Sequence, residues 1–526
     1  MSGMVKQKEK QRQETRKQES QNSFWLRDTV LPDFPALFGD ISREAVVIGG
    51  GMCGILIGYY LKRAGIRTVI LEADTIGSGQ TAGTTAKITS QHGKIYRTLT
   101  GSLGPERARQ YAEGNQRAVV EYGRLISERR IDCDFHKCGA YIYSVTDREA
   151  MEQEARSASA CGINAAFTQE TELPFDVKGA VRFGGQARFS PEKFLGNLAG
   201  ELEIYEHTQA LDVDRHMVYT NRGRVRAEHI IFACHYPFVN VPGFYFMRMY
   251  QQKSYVVALE QKEAQTGKPG SLLLPDHVYL GVDPEQGFSF RKAGDALLFG
   301  GYSHRTGETG NGVSPYKKLE LKAGTWWPKA AVTAKWSAQD CMTLDQVPYI
   351  GKFSRNRENW YVATGFGKWG MTSSMVSALA ISGMIAGNPP DWAAVFSPSR
   401  ITPKASAAEL VGHMQVSTVN LSKSFFMPAK KTLEGLKPGQ GKVVEWKGKK
   451  TGIYMDENGT LYPVSPRCPH LGCQLTFNPN EKSWDCPCHG SRFSYKGELL
   501  CGPAQTGIGK EERADKSSIN SKNNRK

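Results

Sequence analysis

Apolar positions set three regimes along the chain. Near the start, the run Ala45-Val46-Val47-Ile48 meets glycines at 49, 50, 51 and 54. A longer apolar stretch follows from about Ile55 to Ala64, then Gly65, then Thr68-Val69-Ile70-Leu71 ending on Glu72. This pattern predicts strand, tight turn, helix and second strand. In the middle, Tyr205-Glu206-His207-Thr208, Ile230-Ile231-Phe232-Ala233-Cys234 and Trp360-Tyr361-Val362-Ala363-Thr364 read as strands. So do Leu272-Leu273-Leu274, Gly287-Phe288-Ser289-Phe290-Arg291 and Ala296-Leu297-Leu298-Phe299-Gly300-Gly301. From Lys442 the pattern shortens to Lys442-Val443-Val444-Glu445-Trp446 and Gly452-Ile453-Tyr454-Met455, before an Asn458-Gly459 turn, which predicts a small β-fold. Between these regimes, Leu410, Met414, Leu421 and Phe425 give the stretch Ala407–Phe426 the pattern of an amphipathic helix, read as docking two domains.

At 526 residues the chain is expected to hold two or three domains. The net charge of +15 suggests an anionic partner: nucleic acid, a membrane surface or an acidic redox protein. Part of that charge lies in residues 5–20 and 510–526, which read as solvated tails; no aromatic or RNA-binding motif accompanies them, and no nucleic-acid partner is expected. The N-terminus has no apolar targeting core. Two uncharged stretches, Ala45–Leu61 and Trp369–Asn388, approach the length of a membrane span, but glycines interrupt both and each fits a strand-turn-helix or helix element. Cys53, Cys133, Cys138, Cys161, Cys234, Cys341 and Cys501 form no paired framework, as in a reducing compartment. The expectation is a cytoplasmic protein. Cys133 and Cys138 could be half of a metal site, but no two further ligands lie nearby, so core thiols are the reading.

Gly49, Gly51 and Gly54 form Gly-x-Gly-x-x-Gly directly after a strand and at the opening of a helix. Such glycines permit a tight turn and let a pyrophosphate approach the helix N-terminus. Glu72, eighteen residues past Gly54, is placed to accept a hydrogen bond from a ribose hydroxyl. The unit predicts dinucleotide binding.

The following stretch, Gly77-Ser78-Gly79-Gln80-Thr81-Ala82-Gly83-Thr84-Thr85-Ala86-Lys87, resembles the flavin-contacting loop of the D-amino-acid oxidase superfamily, which includes glycine oxidase and γ-glutamylputrescine oxidoreductase. Asp345-Gln346-Val347-Pro348-Tyr349-Ile350-Gly351 and Gly365-Phe366-Gly367-Lys368-Trp369-Gly370-Met371 fit the same resemblance, the latter opening a final helix aimed at the flavin. The resemblance implies an α/β fold: a Rossmann-like FAD-binding domain with an inserted antiparallel-sheet substrate domain. It spans residues 31–395 after a basic tail over 1–30, with FAD-binding pieces at about 40–100, 190–240 and 330–395 and substrate pieces at about 101–189 and 241–329. FAD contacts are expected at Gly49, Gly51, Gly54, Glu72, Thr84, Thr85, Gly365, Gly367, Gly370 and Met371.

After a linker over 396–427, Cys468-Pro469-His470-Leu471-Gly472-Cys473 and Cys486-Pro487-Cys488-His489-Gly490-Ser491 each bring cysteine and histidine together. Two thiolates on one iron and two imidazoles on the other make a Rieske [2Fe–2S] centre. Two Cys and two His could also hold zinc tetrahedrally, although zinc does not need the extra cysteines Cys473 and Cys488. The segments resemble the Rieske family over roughly 428–504, and the small all-β domain is set at 428–508, followed by a polar tail over 509–526. The resemblance implies ligands Cys468, His470, Cys486 and His489, and a Cys473–Cys488 disulfide as in the cytochrome bc type. It places Ser491 as a hydrogen-bond donor to a cluster sulfur and puts Phe493 where that type carries a tyrosine, so a potential below the quinol-oxidising proteins is expected. Gly502-Pro503-Ala504 matches the family's cluster-covering loop; the chain turns polar after Ile508 where a closing strand is usual, which points to a frayed or shortened end.

Together the resemblances imply oxidation of an amine or amino acid by hydride transfer to flavin, with electrons leaving through the cluster to an acceptor protein or quinone rather than to oxygen. A basic surface suits an acidic acceptor or an anionic membrane face. Candidates for the substrate face are Tyr255, Tyr302, His304, Arg305, Trp336 and Lys368, with Arg305 or Lys368 as a carboxylate clamp. Two other readings stand beside this one: an electron-transfer protein without a small-molecule substrate, and a redox sensor. No facial-triad spacing for a mononuclear iron is present, which argues against a ring-hydroxylating oxygenase.

Overall fold

The computed structural model describes residues 23–27, 29–261, 275–308, 312–403 and 435–509, with isolated positions between 405 and 433. The chain divides into two compact units, Met1–His304 with Gly312–Leu410, and Arg305–Asn311 with Val411–Lys526. The expected strand at Leu272–Leu274, the four apolar positions of the amphipathic helix, and the tails over 1–22 and 510–526 lie outside the described residues.

In the first unit the 45–72 pattern becomes strand β1 (Ile41–Ile48), helix α1 (Met52–Arg63) and strand β2 (Thr68–Leu71). β1 and β2 pair in parallel, Val46 beside Val69 and Ile48 beside Leu71. Val46, Val47, Val69 and Ile70 are all buried, as strands covered on both faces must be. Further along come β3 (Lys87–Ile88), β4 (His136–Ser144), β5 (Gly179–Arg188), β6 (Glu203–Tyr205), β7 (Arg224–Phe232), β8 (Met249–Gln261), β9 (Val278–Gly281), β10 (Ser289–Ala293) and β11 (Ala296–Arg305). Helix α2 (Pro315–Trp326), strands β12 (Ala330–Thr343), β13 (Tyr349–Ser354) and β14 (Arg357–Thr364), and helix α3 (Gly370–Ile385) complete the set used below.

Two sheets use these strands. The first runs β13-β14-β7-β1-β2-β6, parallel from β14 to β6 with β13 antiparallel at the edge. Helices α1 and α3 pack together, and residues of both share one apolar core. The second runs β12-β8-β11-β10-β9-β4-β5-β3. Where an antiparallel sheet was expected, β9 and β4 pair in parallel, so the sheet is mixed. The long chain between those strands leaves room for the crossover that parallel pairing requires.

Each face of the second sheet has its own core. Val256, Leu298, Ala334 and Trp336 share the inner core with Ile55 and Ile57 of α1 and Met375 and Val376 of α3. Tyr255, Val257, Leu297 and Phe299 pack outward with Leu319 and Ala323 of α2. Adjacent residues on one strand thus enter different cores, the period of two inherent in a strand. The tail expected over 1–30 ends earlier: Phe24–Leu26 forms a 3-10 turn with Trp25 buried, because the indole finds a carbonyl partner as well as apolar cover.

The second unit holds a three-stranded antiparallel sheet, β15 (Gly441–Trp446), β16 (Lys449–Met455) and β17 (Leu461–Val464), and a four-stranded one, β18 (Thr476–Asn478), β19 (Ser483–Asp485), β20 (Arg492–Ser494) and β21 (Leu499–Cys501). Tyr454, Val464, Phe477, Trp484, Phe493 and Leu499 form its core. The chain does not fray at its polar turn. Ile508 is buried, its N–H donates to Gly497 O at 2.7 Å, and its carbonyl accepts from Ser465 N at 2.9 Å. These two bonds close the unit where a strand was expected. No helix among the described residues is long and apolar enough to cross a membrane.

Candidate functional site

The glycine turn after β1 is compact for a steric reason. A Cβ on Gly54 would sit 1.8 Å from Gly49 O, and one on Gly49 would sit 2.6 Å from Ala233 O. Helix and strand therefore approach more closely than any side chain allows. Gly51 caps α1 without a side-chain hydrogen bond. Thr81 Oγ1 accepts from Met52 N at 3.0 Å, while the remaining positive end of the helix faces the turn, an arrangement suited to an anion. Glu72, at the end of β2, accepts from Gly50 N at 2.7 Å and Asp74 N at 2.9 Å, so its carboxylate rests against the turn.

The 77–87 loop is fastened from both ends. Thr84 Oγ1 accepts from Ala86 N at 2.9 Å, β3 pairs with β5 through Lys87 and Arg188, and Trp336 Nε1 of β12 donates to Gly83 O at 3.0 Å. Trp25 Nε1 donates to Thr84 O at 2.7 Å, Ser23 Oγ donates to Ala82 O, and the Arg291 guanidinium lies 4.7 Å from the Trp25 ring centroid. Thr85 follows Thr84 in this fastened loop, partly buried. Sequence reasoning missed Trp25; a lone tryptophan beside a basic tail gives little signal.

The loop before α3 closes over the same region. Gly365 and Gly367 adopt left-handed backbone, φ +72° and +53°, and a Cβ on Gly365 would meet Thr343 Cγ2 at 2.3 Å. Gly367 N donates to Cys341 O at 2.9 Å, holding the loop to β12. Gly370 and Met371 begin α3, whose N-terminal Trp369 makes no side-chain cap, and Met371 O accepts from Tyr122 OH at 2.8 Å. Trp369 stacks on His92, ring centroids 4.5 Å apart.

The substrate-face candidates separate by face. Tyr255 packs in the outer core against Tyr316 of α2, and its hydroxyl meets His304 Nε2 at 3.0 Å. Tyr302 also lies outward, edge-on to Phe288. Arg305 belongs to the second unit, where its Nε donates to Pro487 O at 3.3 Å. Trp336 and Lys368 lie on the inner side. Lys368 Nζ donates to Ser303 Oγ at 2.8 Å, and Ser303 Oγ meets Ser254 Oγ at 2.9 Å. Lys368 is exposed, and desolvation by the surrounding protein lowers its pKa, with Asp340 opposing the shift. Ser254, Ser303 and Asp340 escaped sequence reasoning. They carry no motif and show only as neighbours in register.

In the second unit both cysteine–histidine loops fold alike. Gly472 N donates to Cys468 O at 2.9 Å, and Gly490 N to Cys486 O at 2.9 Å. Cys468 N closes the first loop on Cys473 O at 2.9 Å, and Cys486 N closes the second on Ser491 O at 2.8 Å. Cys473 and Cys488 join the loops as a disulfide, and Cys486 Sγ lies within 4.8 Å of both their sulfurs. The rings of His470 and His489 stand edge to face, centroids 4.9 Å apart. Burial pushes His470 down to about 4, keeping its imidazole neutral as a metal ligand must be. Cys486 is lowered by the hydrogen bond shared with Cys468 and, against its burial, by the N–H groups of His489, Cys488 and Gly490. Two thiols, one in a nest of N–H donors, and two imidazoles, His489 buried and His470 half-buried, fit an iron–sulfur cluster. Ser491 Oγ accepts from Ala504 N at 3.0 Å, joining this loop to the Gly502-Pro503-Ala504 loop.

Residues 44–384 match the family described as FAD dependent oxidoreductase, and residues 427–511 match the Rieske [2Fe-2S] domain. The chain belongs to the FAD-dependent oxidoreductase family and carries a Rieske domain at its C-terminal side; its cofactors are FAD and a [2Fe–2S] cluster. It is 34% identical over 500 residues to a putative Rieske 2Fe-2S iron-sulfur protein, YhfW, of Bacillus subtilis (strain 168), covering 92% of this chain and 96% of that one. Over 77 residues it is 40% identical to a cytochrome b6-f complex iron-sulfur subunit of Cyanophora paradoxa, covering 14% of this chain and 32% of the subunit. Among solved structures, glycine oxidase from Geobacillus kaustophilus superposes with a TM-score of 0.56 at 21% identity, covering 68% of this chain and 99% of that one. L-proline dehydrogenase from P. horikoshii gives 0.55 at 16% identity, covering 70% and 98%. These last two show the fold.

Proposed function

We propose that this chain oxidises an amine or amino acid at a carbon bearing nitrogen and passes the electrons through its cluster to an external acceptor. The observation that carries the reading is the polar line Lys368–Ser303–Ser254, with Asp340, on the sheet face turned toward the loop at Gly83. Lys368 and Ser303 are exposed on that face, and an electron-transfer module without a substrate has no need for hydroxyls and opposite charges gathered there. Several structures of the same fold, including glycine oxidase, L-proline dehydrogenase and an L-amino acid deaminase, are named for work on amino acids, which supports the substrate class.

When bound, FAD takes a hydride at N5 and the cluster carries electrons singly. The chain's own residues do the rest. Gly49, Gly51 and Gly54 with the α1 N-terminus would receive the pyrophosphate, and Glu72 would receive the ribose. Thr84, Thr85, Gly365, Gly367, Gly370 and Met371 would border the ring, while Trp25 and Trp336 hold the 77–87 loop in place. Cys468, Cys486, His470 and His489 would hold the cluster, Ser491 would offer it a hydroxyl, and the Cys473–Cys488 disulfide fixes both loops.

Anaerobic titration of the purified protein with a panel of amines and amino acids tests this. At least one should bleach the flavin absorbance without oxygen. If dithionite reduces both centres and no amine or amino acid does, the reading fails.

A further inference from the structure

One short stretch of the first unit keeps large apolar side chains in water. Val241 is 65% exposed, and Phe244 and Met247 are each 46% exposed. No other seven-residue stretch of the described residues exposes three large hydrophobics. Single exposures are ordinary, but a cluster marks a surface with something to bind.

The turn that carries them is pinned from below. Tyr245 is buried; its hydroxyl donates to Phe353 O at 2.7 Å, and its ring meets that of Phe353 edge-on, centroids 5.0 Å apart. Arg248 Nη1 donates to Gly243 O at 3.2 Å and Nη2 to Pro398 O at 2.6 Å, while its guanidinium lies 4.2 Å from the Tyr349 ring centroid. Met247 N donates to Phe244 O at 3.0 Å. The exposed side chains thus stand on a fastened base.

Phe244 is the most telling of the three. Its backbone is left-handed, φ +51° and ψ +40°. That region suits glycine or asparagine, and a bulky aromatic there is strained. With its side chain so exposed, Phe244 offsets little of that strain by packing within the fold.

Cations flank the turn. The hairpin joining β13 to β14 packs against it through Phe353, and a Cβ on Gly243 would lie 2.9 Å from Phe353 Cε1. That hairpin carries Lys352, Arg355 and Arg357 against one acid, Glu358, and Lys352 and Arg355 are exposed. Apolar side chains beside surface cations have the composition of an interfacial anchor: the first enter the acyl boundary while the second stay at anionic headgroups. A stable protein interface takes about 800 Å² from each partner, more than three side chains offer, whereas a bilayer sets no such minimum. The net charge of +15 adds long-range attraction to an anionic surface.

We propose that Val241, Phe244 and Met247, with Lys352 and Arg355, form a docking surface for an anionic lipid membrane. The surface stands apart from the substrate reading, and its test needs no substrate. Docking there favours an electron acceptor dissolved in the lipid over one dissolved in water.

The test measures, by flotation, partition of the FAD-loaded full chain onto vesicles of phosphatidylcholine, alone or mixed with phosphatidylglycerol. Wild type should float with the mixed vesicles, and less as salt rises. Phe244→Asn suits left-handed backbone better than phenylalanine does, so it should fold. It should nevertheless lower the partition coefficient about tenfold or more, the transfer value of one large apolar side chain. Met247→Ser should act in the same direction. Lys352→Gln and Arg355→Gln should each lower partition onto mixed vesicles about fivefold and leave partition onto phosphatidylcholine unchanged. Val120→Ser, at an exposed apolar position on the helix over Pro105–Arg129, should change nothing. Flavin content matching wild type shows that each variant is folded. If wild type does not float, the proposal is overturned. Flotation that survives both Phe244→Asn and Met247→Ser assigns the affinity to the basic tails and overturns it too. So does a dimer that Phe244→Asn turns into a monomer in sedimentation while vesicle partition stays the same, since the patch then pairs two copies of the chain.

Discussion

Arg400 grips Asp345 with both arms of its guanidinium, Nε to Oδ2 at 2.6 Å and Nη2 to Oδ1 at 2.8 Å, both side chains almost fully buried. Thr402 Oγ1 adds a donor to Oδ2 at 2.9 Å and Val347 N one to Oδ1 at 3.2 Å, while Arg400 Nη1 reaches the carbonyls of Pro348 at 2.9 Å and Phe396 at 3.1 Å. The pair ties the turn before β13 to the segment that follows α3. It explains why the 345–351 stretch looks like a motif: its acid is a structural post.

Removing one member of a buried pair strands the other charge, at a cost of about 3–5 kcal/mol. Arg400→Ala should lose stability on that scale in denaturant titrations. Burial alone would raise the Asp345 pKa, but the charge and hydrogen bonds of Arg400, with those of Thr402 and Val347 N–H, outweigh it and hold it below the ordinary value. A lowered carboxylate stabilises the fold above its unfolded pKa and loses that contribution as pH falls through the folded value. Wild type should therefore lose this part of its stability below about pH 4, and Arg400→Ala should lack that acid-dependent component.

His92 gives a pH dependence in a higher window. Its Nε2–H donates to Thr89 O at 2.8 Å, and Tyr111 OH donates to Nδ1 at 2.6 Å, a neutral ring held in one tautomer. Burial depresses its pKa to about 3, against the pull of the Thr89 bond. Below the ordinary value near 6.5 the unfolded chain takes up a proton that the folded one refuses, so stability falls as pH drops from about 6.5 toward 3. The slope is about 1.4 kcal/mol per pH unit for one proton. Melting curves of wild type and His92→Gln between pH 7 and 5 should differ by that slope; parallel curves would show that His92 protonates freely.

At the cluster, Ser491 and Phe493 make opposite predictions. A hydrogen bond to a charged group is worth about 1.5–3 kcal/mol, or about 60–130 mV for a one-electron couple. Ser491→Ala should lower the midpoint by that order. Phe493→Tyr, at a fully buried position of β20, should raise it if the new hydroxyl reaches the cluster. A redox titration followed by electron paramagnetic resonance reads both.

Trp25 should matter for flavin retention. Trp25→Ala deletes the bond to Thr84 O and the cover over Arg291. FAD should then wash out more easily, with affinity falling about tenfold, the value of one good hydrogen bond in a buried setting. The iron content should not change. Equal FAD retention in the variant and wild type would remove Trp25 from the account.

The glycine turn and the cluster loops were legible in the sequence because their chemistry fixes spacing. Glycines at 49, 51 and 54 and paired Cys–His loops leave few alternatives. Even there a boundary moved: α1 starts at Met52 rather than Ile55, because Gly54 lies inside the first helical turn. The inner face of the second sheet was not legible. Aromatic character drew attention to Tyr255 and Tyr302, yet both fall in the outer core, while their plainer neighbours Ser254 and Ser303 join Lys368. In a strand one residue decides the face, and composition cannot set that register. Asp340 was hidden for the same reason, since only its pairing with Gln252 assigns its side. The mixed character of the second sheet was invisible because β4 and β9 are distant in sequence.

The most direct test of the account is rapid mixing of the anaerobic, fully loaded protein with an amino acid that bleaches its flavin, frozen at successive times and read by electron paramagnetic resonance. The account predicts flavin bleaching first, then a Rieske signal growing in at the flavin's expense, with wild-type bleaching but no such signal in Cys486→Ser. A bleached flavin beside a cluster that stays oxidised would contradict it.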